Sequence, residues 1–437
     1  MNIQPKLRTW DLTMIVVNLV IGVGIFRSPQ LVAKDAQTPL IFFLAWVMGG
    51  VVSFCGALTF AEIGARYPAA GGFYKLFSHC YHPAFAFMMN WVLVINNAAA
   101  CAGVAIMGAE YISPIILPQS YQNQTGITMI VLGIIGILYL INLLGIRTSA
   151  TTQNILSLFK IGMILLFCLA IFLPKTESSA QTITYQSLGL FEGVQAFGVA
   201  LIAIFFSYGG YQQTINFGQD IQNPMKNIPK AVFMGVGMVV FLYLTLNFAY
   251  YHVLGFEGIK NSKLLAAEIG NALFGEYGGR LASVLLFLSV IGFLNATILS
   301  NPRMYYAMAE DKMLPELFKK INPRTQVQEF ALTFFVALSL AAYFFAQTFD
   351  NILRYVMFID TLSLATAAFA LFILRKKMAN QDYQGYQMRF FPWIPLLFIS
   401  MILVCTISLL YTEPYKCLIA TALFLFGYVI YALRMKF

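Results

Sequence analysis

Between Leu12 and Phe26 the chain carries no charged side chain, yet the run is interrupted by Gly22 and Gly24. An uncharged apolar run of this kind reads as a membrane span with two glycines at mid-depth. Glycine adopts the non-helical dihedrals that break a helix. In hydrocarbon, broken backbone persists only where protein buries it or a polar cavity faces it. A break here leaves a half-helix starting near Val23, whose free N–H groups and positive dipole end attract an anion. The second half of the chain holds a counterpart, Phe206-Ser207-Tyr208-Gly209-Gly210-Tyr211, inside another long apolar stretch. Paired glycine-interrupted spans in corresponding halves point to a binding site at the middle of the bilayer.

Composition places the whole chain in the membrane. Of 437 residues 59% are hydrophobic and 10% charged, with a mean hydropathy of +0.75. A soluble domain carries roughly 25% charged residues, so no separate water-soluble domain is expected. The net charge of +9 does not indicate nucleic acid, because the basic residues sit in short loops between apolar spans. Six cysteines lie mostly within apolar spans with no CxxC or Cys/His spacing, and read as small packing residues. His79, His82 and His252 have no partner at ligand spacing, and no phosphate-binding glycine loop is present. No catalytic residue, metal or cofactor is implied. Lys6 and Arg8 precede the first span without a small-residue cleavage site, so that span reads as an anchor.

Twelve apolar stretches have crossing length, near 11–32, 40–63, 83–112, 127–145, 152–173, 193–218, 230–254, 278–301, 329–346, 350–374, 391–411 and 414–434. With the N-terminus inside, 18 of the 27 Lys+Arg fall on the cytoplasmic side and 7 outside, which sets both termini in the cytoplasm. Spans 1–5 (11–173) and spans 6–10 (193–374) are nearly equal in length. Because five is odd, the second set enters from the opposite side. An all-α, five-plus-five inverted repeat follows, with a tail at 1–10 and two appended spans within 391–437. Asn123-Gln124-Thr125 forms a glycosylation sequon in an outer loop, a motif short enough to arise by chance.

Four segments resemble the amino acid–polyamine–organocation transporter superfamily, and its L-type amino acid transporter branch in particular. They are Ile21–Pro29 (IGVGIFRSP), Tyr67–Tyr74 (YPAAGGFY), Phe206–Pro229 (FSYGGYQQTINFGQDIQNPMKNIP) and Ile291–Pro315 (IGFLNATILSNPRMYYAMAEDKMLP). The resemblance implies the LeuT-type fold with helices 1 and 6 broken, and amino acid transport without ATP. Carried over by position, a substrate's carboxylate would sit on N–H groups of Gly22, Val23 and Gly24. Its ammonium would meet carbonyls of Phe206, Ser207 and Gly209, with Gly210 clearing space. Phe206 reads as an aromatic gate. Many relatives carry Ser at Val23 and Trp at Tyr211, so the side-chain preference is not carried over.

Polar residues inside spans complete the expectations. Lys160 lies about 12 Å into span 5 by helical rise, where a cation is costly and usually functional. The resemblance gives its ammonium the place of a sodium ion, among carbonyls of Asn18 and Ile21 and beside Asn295. Asp360, mid-span, is a candidate for proton or substrate contact. Asn96 and Asn97 are candidates for the pocket or for helix joining. Asp350 and Arg354 read as a solvated i,i+4 pair, and Glu62 and Glu110 as interface residues at span ends.

The expected protein is a plasma-membrane permease or exchanger for neutral amino acids, independent of sodium. The alternatives are a carrier of cationic amino acids or polyamines, and a membrane amino-acid sensor. The outer loop Ser113–Gly126 has no cysteine, so no disulfide-linked heavy chain is expected. Its partners are then the small-molecule substrate and the lipid bilayer, with the oligomeric state open.

Overall fold

The computed structural model describes residues 9–67, 72–145, 150–174, 188–212, 223–346, 348–379, 383 and 385–434. Regular structure among them is helical throughout. In chain order the helices are α1 (Thr9–Val20), α2 (Ser28–Ala36), α3 (Pro39–Arg66), α4 (Gly72–Cys80), α5 (Pro83–Ile116), α6 (Gln124–Leu143) and α7 (Ala150–Cys168). There follow α8 (Leu190–Tyr208), α9 (Pro224–Asn261), α10 (Leu265–Glu310), α11 (Glu329–Ala346), α12 (Phe349–Lys377), α13 (Trp393–Thr412) and α14 (Pro414–Arg434). Ten of these, α3, α5, α6 and α8 to α14, are long and apolar enough to cross a membrane. The first expected span is a composite of α1, a 3-10 turn at Gly24–Phe26 and α2. The fifth is α7 continued by a 3-10 turn at Leu169–Phe172.

Local chemistry sets many of the helix starts. Thr38 and Thr348 cap α3 and α12, their side chains accepting from the N–H of Ile41 and Asn351. Asn123 caps α6, its Oδ1 accepting from Gly126 N–H at 3.2 Å, a structural use for the first residue of the sequon. Helices α9 and α10 run past the expected 230–254 and 278–301, and each bends at a glycine with φ of 68°, Gly255 and Gly275. The left-handed dihedral there is one that glycine takes without steric penalty.

Helix α5 forms the middle of the bundle, packing on α10, α11, α12 and α14. Its most apolar stretch is 78% buried inside the protein, against 17% for α14, which leaves α14 as the lipid-facing edge.

Two charge expectations are corrected. Asp350 and Arg354 do not form a solvated pair: Arg354 bonds Asp35 of α2 at 2.8 Å and lies 3.4 Å from Glu413. Asp350 instead lies 3.6 Å from Arg27, which also faces Glu110 and donates to the Lys263 carbonyl at 2.6 Å. Packing of α2, α5, α12 and the α13–α14 junction at this end supplies opposite charges from other elements. Glu62 is not an interface residue but fully buried. It accepts from Arg66 Nε at 2.7 Å, from Arg375 Nε at 2.8 Å and Nη2 at 2.7 Å, and from the Met388 N–H at 2.9 Å.

Candidate functional site

The site begins where α1 stops. Ile21 N–H makes the last helical bond, to Val17 O at 2.9 Å, and bonding resumes with Phe26 N–H on Val23 O and Arg27 N–H on Gly24 O. The N–H groups of Gly22, Val23 and Gly24 donate to none of these carbonyls. Those of Val23 and Gly24 form the free donor end of the second half of the span, while that of Gly22 turns to Tyr243.

Helix α8 ends at Tyr208, and Gly210 continues with φ of 111°, a left-handed value that favours glycine. Gly210 N–H is taken by Gln212 Oε1 at 2.8 Å, and Gly209 N–H by the Phe206 carbonyl at 3.3 Å. The carbonyl end of this half-helix therefore faces the donor end of the first break.

The two breaks touch. A Cβ on Gly24 would come within 3.1 Å of the Phe206 ring and 3.3 Å of Ser207 Cα, so a side chain there would make the second break give by a few tenths of an ångström. Phe206 also packs edge-on against Phe349 of α12, ring centroids 5.7 Å apart. Tyr243 of α9, fully buried, ties the breaks together. Its hydroxyl lies 3.2 Å from Val20 O and 3.4 Å from Ser207 O, and the Gly22 N–H bonds the same oxygen.

Around the breaks lies a cavity of about 570 Å³, whose lining includes Gly22, Gly24, Lys160, Phe206, Gln212 and Asp360. A larger cavity of about 860 Å³ lies between Phe87, the end of α10 and the end of α14. It touches neither break, and size alone does not mark the site; convergent backbone donors and acceptors do. Lys160 Nζ donates to the Ile21 carbonyl at 3.2 Å. The Asn18 side chain lies outside the described residues. Asn295 accepts from Asn142 Nδ2 of α6 at 2.7 Å, a partner the sequence did not suggest. Asp360 Oδ1 accepts from Asn96 Nδ2 at 2.6 Å, whereas Asn97 joins helices by donating to Asn301 at 2.9 Å.

Tyr243, Gln212 and Asn142 were not singled out in the sequence. A signal existed for Tyr243: a lone phenol amid Phe241-Leu242 and Leu244 needs an acceptor when buried in an apolar span. Asn142 and Gln212 carry no such signal, because each sits at the polar end of a span.

Chemically, the cavity brings together the N-terminal start of the second half of the first span and the carbonyl end of α8. A zwitterion fits that polarity without any side-chain charge being needed at either pole.

Comparison with known proteins adds a lineage. A family model described as amino acid permease matches residues 7–432. The serine/threonine exchanger SteT of Bacillus subtilis (strain 168) is 30% identical over 426 residues, covering 95% of this chain and 94% of its own. The large neutral amino acids transporter small subunit 2 of Rattus norvegicus is 25% identical over 429 residues, covering 96% and 78%. The cystine/glutamate transporter of Homo sapiens is 25% identical over 420 residues, covering 96% and 83%.

Proposed function

The chain belongs to the amino acid permease family, and from that premise we propose that it is a sodium-independent secondary transporter of neutral L-amino acids, working by alternating access. Family and relatives are transporters and not enzymes, and amino acid transport across a membrane is what they share. The observation that carries the finer reading is the meeting of two broken helices at Gly24 and Phe206, with the Lys160 ammonium on the Ile21 carbonyl beside them.

In this reading the N–H groups of Gly22, Val23 and Gly24 take the substrate carboxylate. The carbonyls of Phe206, Ser207 and Gly209 take its ammonium, Gly210 clears space, and Phe206 closes over it. Lys160 of α7 supplies the positive charge at the first break, with Asn18 of α1 and Asn295 of α10 read as its neighbours. A fixed ammonium there repels a second cation in low dielectric, which is why sodium is not required. The fold is read as twelve spans, five plus five inverted and two appended, with both termini in the cytoplasm of a plasma membrane. No disulfide-linked heavy chain is needed, since the α5–α6 loop has no cysteine. The relatives' names carry several side-chain classes, namely serine/threonine, large neutral, and cystine/glutamate. Backbone recognition of the α-groups is compatible with each.

Uptake of labelled amino acids into proteoliposomes holding the purified single chain tests the proposal, with binding measured in parallel. Transport that persists without sodium, and is lost in Lys160→Ala while the variant still reaches the membrane, is the expected result. Uptake rising steeply with sodium at fixed pH and ionic strength would overturn the role of Lys160. Arginine or lysine competing far better than alanine, serine or leucine would make the protein a cationic carrier. Binding without uptake would make it a sensor.

A further inference from the structure

The cavity of about 860 Å³ at the end of α10 takes no part in the site at the two breaks, and it has a polarity of its own. Helix α5 begins beside it at Pro83, α10 ends there at Glu310 and α14 ends there at Arg434. Ends of membrane helices mark the level where hydrocarbon gives way to headgroups. The cavity is amphipathic across that level. Phe87 of α5 and Tyr431 of α14 line its apolar wall, their ring centroids 5.9 Å apart, and Leu433 extends that wall with 56% of its surface exposed. Of the ten crossing helices α14 is the least buried by protein, so the apolar wall runs out to lipid.

The polar rim comes from the segment after α10, with Asp311, Lys312, Glu316 and Lys319. Asp311 is already matched, because both of its carboxylate oxygens accept from Lys75 Nζ of α4, at 2.7 and 2.6 Å. Glu316 is 91% exposed in its side chain and lies 4.0 Å from Lys319, and a solvated pair of this kind holds little. Counting Lys75, three lysines face two carboxylates at the rim, which leaves one positive charge in surplus. Lys312 has φ of 60°, a left-handed value uncommon for lysine, in the turn that closes α10.

We infer that this cavity is a lipid site, which holds one anionic phospholipid of the leaflet where α10 and α14 end. Its phosphodiester sits on Lys312 and Lys319, and an acyl chain runs along Phe87 and Leu433. Basic pockets between membrane helices on the cytoplasmic side suit anionic headgroups, and the proposed topology puts this end in the cytoplasm. Lysine binds phosphate as a point charge. A soluble phosphate would leave the apolar wall uncovered. A choline headgroup would bring another cation to a rim that already carries a surplus. A phospholipid with one net negative charge satisfies the wall and the rim together. Occupancy braces α10, whose Phe293 and Ser300 line the substrate cavity, against α5 and α14.

The experiment uses the full chain, purified in detergent, stripped of lipid and offered equal amounts of phosphatidylglycerol and phosphatidylcholine with identical acyl chains. Lipid retained through gel filtration is counted by native mass spectrometry. One phosphatidylglycerol per chain is expected, preferred about tenfold over phosphatidylcholine. At about fivefold per lysine, Lys312→Ala combined with Lys319→Ala should bring that preference to within about twofold of unity. Lys320→Ala, which removes an exposed lysine of the same segment that does not line the cavity, should leave the preference unchanged. Equal retention of the two lipids by the wild type overturns the inference and needs no variant to fold. So does an unchanged preference in the double variant, or an equal fall in Lys320→Ala, which would reveal general surface attraction. Displacement of the retained lipid by excess glycerol 3-phosphate would make this a soluble phosphate site and also overturns it. Lipid is read here and amino acid uptake is not, so failure of the proposed transport would leave this result standing.

Discussion

The Tyr243 hydroxyl lies 3.2 Å from the Val20 carbonyl, at the last residue of α1, and 3.4 Å from the Ser207 carbonyl near the end of α8. One phenol thus serves both helix breaks from a third helix. Tyr243→Phe keeps the ring and removes the bridge, leaving buried carbonyls short of a donor at a cost of about 1–3 kcal/mol. Amino acid uptake should fall about tenfold or more on that scale, with the protein still monodisperse. Tyr139→Phe, which removes an exposed hydroxyl bonded to Thr333, should leave uptake unchanged. Equal uptake by both variants would show that the bridge plays no part in transport.

Gly24 is where the breaks come closest. Gly24→Ala places a methyl 3.1 Å from the Phe206 ring, so the ring or the backbone at Ser207 must shift by a few tenths of an ångström. Uptake should drop about threefold to tenfold, since a full ångström's misplacement of a positioned group can cost about a hundredfold. Gly133→Ala, where nothing lies within 4 Å of the new methyl, is the matched control. Normal uptake by Gly24→Ala would mean that the breaks are not held at this distance during transport.

Charges that close the α2 end should matter for stability in proportion to their burial. Arg354→Ala leaves Asp35, 14% exposed in its side chain, without its cation. Thermal unfolding in detergent should shift down by roughly 1–3 °C, as expected for about 1–3 kcal/mol in a chain of this size. Arg280→Ala breaks a pair whose side chains are 62% and 76% exposed, and exposed pairs contribute little. A larger shift for Arg280→Ala than for Arg354→Ala would contradict the packing at this end.

Glu62 sits among two guanidinium groups and the Met388 N–H with no exposure of its side chain. Glu62→Gln keeps the shape and removes the charge that both arginines share. Breaking a buried ion pair in this way costs about 3–5 kcal/mol, so the folded yield and the unfolding temperature should both fall further than for Arg354→Ala. Unchanged yield would show that the bonds of Arg66, Arg375 and Met388 to Glu62 do not hold the fold.

Much of this was legible along the chain. Uncharged apolar length announces membrane helices because hydrocarbon admits only internally bonded backbone, and the expected 329–346 and 414–434 coincide with α11 and α14. The ends of α1 at Val20 and of α8 at Tyr208 fall beside Gly22–Gly24 and Gly209–Gly210, because a glycine break is a local property of backbone sterics. A lysine eight residues into an apolar run is likewise visible without a fold. Partners are another matter. Arg354 passes over Asp350, four residues away, for Asp35, 319 positions away, and Asn295 meets Asn142 across 153 positions. Periodicity tells which face of a helix is apolar, but not which helix that face will meet. Tyr243 became a bridge only when α9 was laid against α1 and α8. Asp360 entered the cavity only when α12 closed beside α5. Those placements depend on side-chain packing summed over the whole bundle, and no single segment encodes them.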